Sequence, residues 1–157
     1  MSIRRVLAVL TATLVLSACA VGETPTGVSG AGRAVGGAAM TVYRSPDCSC
    51  CHLWADIARG EGWTVASADK LDMNAFKAEV GVPLDYASCH TTIVEGYFVE
   101  GHVPLAAVER LLAERPDIDG IALPGMPAGS PGMGGTAEGP FEVLAITDGI
   151  ATPFGSY

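Results

Sequence analysis

Met40-Thr41-Val42-Tyr43-Arg44-Ser45-Pro46-Asp47-Cys48-Ser49-Cys50-Cys51-His52 is the stretch from which the fold can be read. Its first five residues mix β-branched, aromatic and apolar side chains, which suit a pleated strand. Ser45-Pro46-Asp47 then ends the strand with turn-forming residues. Beyond it, Leu53, Trp54, Ile57 and Ala58 recur at helical spacing, which predicts a helix over residues 51–59 with Gly60 as its stop. Three cysteines within four residues therefore sit between a strand and the start of a helix. Free amides and the macrodipole at a helix start favour thiolate and depress a cysteine's pKa.

Outward from this segment, strand and helix patterns alternate. Residues 63–66 read as a second strand. Asp72 can cap a helix running to Val80, with Gly81 after it. Residues 91–94 and 97–99 form a hairpin pattern across Glu95-Gly96. Pro104 suits a helix's first turn, and Leu105, Val108, Leu111 and Leu112 give that helix one apolar face. From Pro116 to Pro140 the chain is rich in glycine and proline and reads as irregular. A closing hairpin follows, residues 141–146 and 150–154, turned by Asp148-Gly149. The order β-α-β-α-β-β-α predicts an α/β fold, a thioredoxin-like sandwich with a C-terminal β-hairpin extension. Spacing alone also admits other α/β sandwiches.

Composition bounds the rest. Charged residues are 17% and hydrophobic ones 49%, enough apolar surface for a packed core. Net charge is -8, and the only basic cluster is Arg4-Arg5. Displacing counterions from phosphates needs a basic stripe, so a nucleic-acid partner is excluded. Arg4 and Arg5 followed by the apolar run at 6–16 read as an export leader over residues 1–19. That run is shorter than the roughly 20 residues a spanning helix needs. Leu16-Ser17-Ala18-Cys19 resembles the bacterial lipobox, which makes Cys19 the expected lipidation site; an ordinary secretory signal with an incidental cysteine is the alternative. Ala20 stands where an aspartate would favour inner-membrane retention, so the expected location is the periplasm, lipid-anchored, with the outer membrane favoured. Residues 20–39 are nearly all small and read as a flexible linker. The folded domain is expected over residues 40–157.

Cys48 and Cys51 make a C-x-x-C pair, suited to disulfide exchange or to soft metals. Cys50 and Cys51 are neighbours, with Cα atoms about 3.8 Å apart, too close for an unstrained disulfide. A metal tolerates such crowding. The alternative is one buried disulfide with a spare core cysteine. His52 is either a ligand or a polar residue of the helix's first turn. Ser88-Cys89-His90-Thr91, just ahead of the third strand, presents a second thiolate and an imidazole to the C-x-x-C segment; otherwise Cys89 is a staple to Cys51 or Cys48. His102 is a loop histidine, either solvated or at the site. Met126 and Met133, in the glycine- and proline-rich loop, are either apolar anchors or thioether ligands. Met40 and Met73 read as core or surface residues. Thioether beside thiolate and imidazole favours copper over zinc.

Taken together, Val42-Tyr43-Arg44-Ser45-Pro46, Cys48-Ser49-Cys50-Cys51, Trp54, Ser88-Cys89-His90-Thr91, Gly101-His102-Val103-Pro104, Leu123-Pro124-Gly125-Met126-Pro127 and Gly129-Ser130-Pro131-Gly132-Met133 resemble the DUF411 or CopG-like copper-resistance proteins over residues 40–157. The resemblance implies a periplasmic thioredoxin-like domain that handles copper in a multinuclear Cys/His/Met site. Cys48, Cys50 and Cys51 match its C-x-C-C motif, and Cys89-His90 its second motif. His102 and the loop methionines match in type and order. The expected function is copper binding in copper tolerance, mainly as Cu(I), with Cu(I)/Cu(II) oxidoreduction as an associated activity. A thiol-disulfide oxidoreductase using Cys48 and Cys51 is the alternative. Periplasmic copper efflux or chaperone proteins are the expected partners, alongside copper ions and the membrane reached through the lipid anchor.

Overall fold

The computed structural model of the chain describes residues 38–157. The leader over residues 1–19, its Cys19, and the linker as far as residue 37 lie outside the described residues. The elements are β1 (Ala39–Arg44), α1 (Ser49–Gly60), β2 (Thr64–Asp69), α2 (Met73–Glu79), a 3-10 turn (Leu84–Tyr86), β3 (His90–Val94), β4 (Tyr97–Glu100), α3 (Leu105–Glu114), β5 (Gly120–Ala122), β6 (Glu142–Thr147) and β7 (Ile150–Ser156). All seven strands join one sheet in the order β2-β1-β3-β4-β5-β6-β7. β1 runs parallel to β2, β3 is antiparallel to both β1 and β4, and β5 is parallel to β4.

Local chemistry explains most of these boundaries. Asp72 caps α2 by accepting from the Ala75 amide at 2.9 Å. Glu95 and Gly96 both take positive φ, 46° and 91°, so the β3–β4 hairpin closes in a two-residue turn. Several boundaries differ from the sequence-based expectation, β2 running on to Asp69 and β7 to Ser156 among them. α1 begins at Ser49, two residues early, with Cys48 as its N-cap. Pro104 is the N-cap of α3 and so precedes its first turn. The region after Pro116, read as irregular, contains β5. Three residues are too few to show a period, and both faces of this strand are buried, which erases alternation. β5 pairs with β4 on one side and β6 on the other. The closing hairpin therefore extends the same sheet at its edge.

Helices cover both faces. Trp54, Ala55 and Ala58 of α1 pack with Val108, Leu111 and Leu112 of α3 in one cluster that takes Met40, Val42, Val94, Val99 and Ile121 from the sheet. Phe98, Ala122 and Ile146 face the other way and meet Val80, Val82 and Tyr86. Adjacent pairs such as Phe98 and Val99 divide between the two clusters because successive strand side chains point to opposite faces. Trp54 has no exposed surface, and its indole N–H donates to the Val103 carbonyl at 2.9 Å. That bond ties α1 to the loop leaving β4.

The pairing also explains why distant segments meet. β1 and β4 both run antiparallel to β3, with Arg44 opposite His90 and Thr91 opposite Glu100. The exits of β1 and β4 and the entry to β3 therefore share one end of the sheet. Cys48, Cys89 and His102 lie within four residues of these three ends. Gly101 makes the approach close enough. Its φ is +82°, and a Cβ there would stand 2.6 Å from Ser88 Cβ and 2.7 Å from the Leu123 carbonyl oxygen. Gly101→Ala is expected to cost more than Gly149→Ala, whose site is equally left-handed but open. The first combines about 1–3 kcal/mol of backbone strain with about 1–3 kcal/mol of overpacking, the second only the strain. Denaturant midpoints of the two variants measure the difference; equal losses would show that the close approach is unimportant.

Candidate metal centre

Cys48 and Cys51 are joined by a disulfide, with Cα atoms 5.4 Å apart, at the start of α1. Cys50 and Cys89 are free and half-buried. This decides among the pairings left open by the sequence: Cys89 is not a staple to Cys48 or Cys51. Cys50 Sγ instead lies between the two segments, 3.5 Å from Cys48 Sγ and 3.9 Å from Cys89 Sγ. Cys89 Sγ in turn lies 2.8 Å from His102 Nε2 and 3.4 Å from His90 Nδ1. Two overlapping groups of ligand-type atoms result, Cys48/Cys50/Cys51/Cys89 and Cys89/His90/His102, each with its atoms within 4.8 Å of one another. Cys89 belongs to both.

The histidines are arranged for lone-pair donation. His102 Nδ1 is 2.7 Å from the Pro131 carbonyl oxygen. A carbonyl only accepts, so Nδ1 carries the proton and the Nε2 lone pair faces Cys89. Burial holds the His102 pKa below the usual histidine value, with the Pro131 bond pulling the other way. His90 has no exposed surface, and its ring stands perpendicular to that of His102 with centroids 4.9 Å apart. Its Nε2 is buried without a partner, while the Trp54 ring lies 5.2 Å away. Burial first, then the neighbouring His102 and Lys77 charges, lower the His90 pKa to about 3. Cys89 moves oppositely. Burial, reinforced by the adjacent Cys50, pushes its thiol up to about 12. At neutral pH the pocket therefore holds a protonated Cys89 thiol between two neutral imidazoles.

The glycine- and proline-rich loop crosses this pocket. Ser88 Oγ donates to the Gly125 carbonyl, and His102 holds Pro131. Gly132 lies against the first turn of α1, where a Cβ would stand 2.7 Å from Trp54 N and 3.0 Å from the Cys50 carbonyl oxygen. Met133, the next residue, is half-buried. Met126 is 56% exposed. His52 is exposed and belongs to neither group, because one step along a helix turns the side chain about 100° away from buried Cys51. Its reading as a polar residue of the first turn is the one that the geometry supports.

Sequence reasoning missed Lys77 and Glu100. Their side chains form a fully buried ion pair, Nζ to Oε1 at 2.5 Å, directly behind the Cys89-His90 segment. Twenty-three residues separate them, and no local pattern marks the pair.

The family model described as a protein of unknown function, DUF411, matches residues 86–133, a span holding Cys89, His90, His102, Met126 and Met133. Two solved structures are similar. One, described as copper resistance protein copG, form 2, is 41% identical with a TM-score of 0.71, over 76% of this chain and 98% of its own. The other, form 1 of the same protein, is also 41% identical, with a TM-score of 0.70 over 76% of this chain and 96% of its own. No curated protein matches the chain. With 41% identity across nearly the whole of a solved member, this chain belongs to the DUF411/CopG-like copper resistance family.

Proposed function

We propose that this protein binds copper in copper tolerance, mainly as Cu(I), from the periplasm, where a lipid on Cys19 tethers it to the outer membrane. The observation that carries the copper reading is Cys89 shared between a sulfur-rich group and a histidine pair. Thiolate with neutral imidazole is a soft donor set suited to Cu(I). The copper resistance proteins among its structural relatives support the same choice of metal. Cys50, Cys89, His90 and His102 offer donors with the disulfide closed; reduction adds Cys48 and Cys51. Half-buried Met133, which follows Gly132, and exposed Met126 are the loop's thioether candidates. The strand pairing through β4, with α1 and α3 on one face and α2 on the other, supports reading residues 40–157 as a thioredoxin-like domain.

The Cys48–Cys51 pair gives the site a redox handle. Closing the disulfide from two thiols releases two electrons and two protons, enough to reduce two Cu(II) ions to Cu(I). It also removes two sulfur donors, which couples thiol state to copper capacity. Copper efflux or chaperone proteins are the partners that such a carrier would supply. One observation favours thiol-disulfide oxidoreduction as the second reading: half-exposed Cys48 caps α1 while Cys51 is fully buried, an attacking and a resolving position. Turnover of a dithiol substrate by metal-free protein lacking Cys50, Cys89 and His90 would favour that reading.

Competition with a Cu(I) chelator under anaerobic conditions tests the proposal. Reduced protein is expected to retain Cu(I), and the disulfide form fewer equivalents. Cys89→Ser should weaken binding at least tenfold, and His102→Ala about 10–100-fold, whereas exposed His52→Ala should change nothing. A reduced protein that surrenders all its copper at the weakest competition would end the copper reading.

The shifted pKa values predict the pH response. His90 stays neutral down to about pH 3 in the fold but takes a proton at ordinary histidine pH when unfolded. The unfolded chain thus binds more protons between those values, so metal-free stability falls as pH drops from about 6.5 towards 3. Cys89 keeps its proton up to about pH 12 in the fold, so stability also falls as pH rises above about 9. Copper must displace the Cys89 proton, and apparent Cu(I) affinity should rise roughly tenfold per pH unit for that thiol between pH 6 and 8. A flat profile in that range would show that Cys89 is not a ligand.

The anchor is tested separately. Labelled fatty acid fed to cells is expected to appear on the protein and to vanish with Cys19→Ala. Equal labelling of the two would remove Cys19 as the attachment point.

A further inference from the structure

Among the described residues, the pair behind the site is the one ion pair with both side chains buried, and copper ligation does not use it. Lys77 reaches from α2 across the sheet face opposite Trp54 and His90. Its Nζ lies 2.5 Å from Glu100 Oε1 and donates to Thr91 Oγ1 at 3.0 Å. Glu100 uses its remaining acceptor capacity on the Cys89 segment: Oε1 accepts from the Ser88 backbone N–H at 2.6 Å, and Oε2 from the Thr91 hydroxyl at 2.6 Å. The carboxylate therefore grips the residue before Cys89 and the residue after His90. Through its own backbone it also continues into Gly101 and His102, and the Gly101 amide donates to the His90 carbonyl at 2.9 Å.

Stability is a poor reason for such a network. Replacing a buried ion pair with apolar residues of similar volume is often neutral or stabilising. What an apolar pair cannot do is hold two polar points of a neighbouring segment at fixed separation. Outer groups that orient metal ligands in this way typically control affinity by about 10–100-fold. We propose that Glu100, neutralised by Lys77, is a positioning residue for the metal centre, clamping Ser88 and Thr91 so that Cys89 and His90 stand opposite Cys50 and His102. This rests on the copper reading above for its affinity consequence, but not for the clamp itself.

Two double variants of the full chain separate positioning from burial. Lys77→Met with Glu100→Gln removes both charges yet keeps an acceptor for Ser88 and a polar partner for Thr91. Lys77→Met with Glu100→Leu removes the clamp. Each is read in two ways: Cu(I) affinity by chelator competition, and, without metal and with the Cys48–Cys51 disulfide closed, the yield of a Cys50–Cys89 cross-link by a short bis-electrophile such as dibromobimane, each thiol displacing one bromide, scored by peptide mass. The Gln double should stay within about threefold of the parent on both, and the Leu double should lose about 10–100-fold in affinity with a clearly reduced cross-link. A folded Leu double that matches the parent on both readouts overturns the proposal. Should the Leu double fail to fold, the isosteric Thr91→Val, which deletes one clamp bond and leaves the ion pair, decides. A loss on both readouts sustains the clamp, and parental values on both overturn it. Should the parent protein bind no Cu(I), the copper reading fails, while the cross-link comparison still decides for or against the clamp.

Discussion

Antiparallel pairing of β3 with both β1 and β4 is the constraint on which the rest of this molecule depends. It sets Arg44 opposite His90 and Thr91 opposite Glu100, and so brings two strand exits and one strand entry to the same sheet end. Every side chain of the pocket is carried on a short excursion from one of those ends. Trp54 then locks the arrangement from the α1 side, by its bond to Val103, and Gly101 lets the Ser88 side chain and the Leu123 carbonyl come close. A register slip of one residue would send His90 to the opposite face.

Desolvation gives the pocket its chemical character. The same burial that keeps His90 neutral keeps Cys89 protonated. A site that disfavours both imidazolium and thiolate is electrically quiet when empty of cations. It favours an ion that accepts nitrogen lone pairs as they stand and can displace a single thiol proton. This is the ground for proposing soft monovalent copper over a hard divalent cation, which would need carboxylate oxygens. Among the described residues, no carboxylate belongs to either ligand group.

Behind the pocket, charge is used differently. Lys77 and Glu100 are as buried as any core residue, yet each side-chain bond that they make ends on the segment bearing Cys89 and His90 or on each other. The sheet thus separates the face that bears His90 from the face that holds the Lys77–Glu100 pair. The alternation of strand side chains makes this possible, since His90 and Thr91 are neighbours that point in opposite directions.

Much of this was legible in the linear chain. The strand–turn–helix at residues 40–60, the capped α2, the tight β3–β4 hairpin and the apolar face of α3 all follow from local propensity and period, which need no long-range partner. The chemistry of Cys48, Cys50, Cys51, Cys89 and His90 was legible too, because rare reactive residues cluster within two short segments. What escaped were relations between distant residues. β5 is a strand only because β4 and β6 flank it. Which cysteines pair, and that Cys50 lies between Cys48 and Cys89, depend on sheet register. His52 and His102 carry the same side chain in similarly polar contexts, yet one turns to solvent and the other faces Cys89. No local pattern marks Lys77 or Glu100, which the fold buries together. Composition and local spacing determine which elements form and which donors exist; only tertiary packing decides which donors meet, because burial and contact across the sheet are set by residues far apart in the chain.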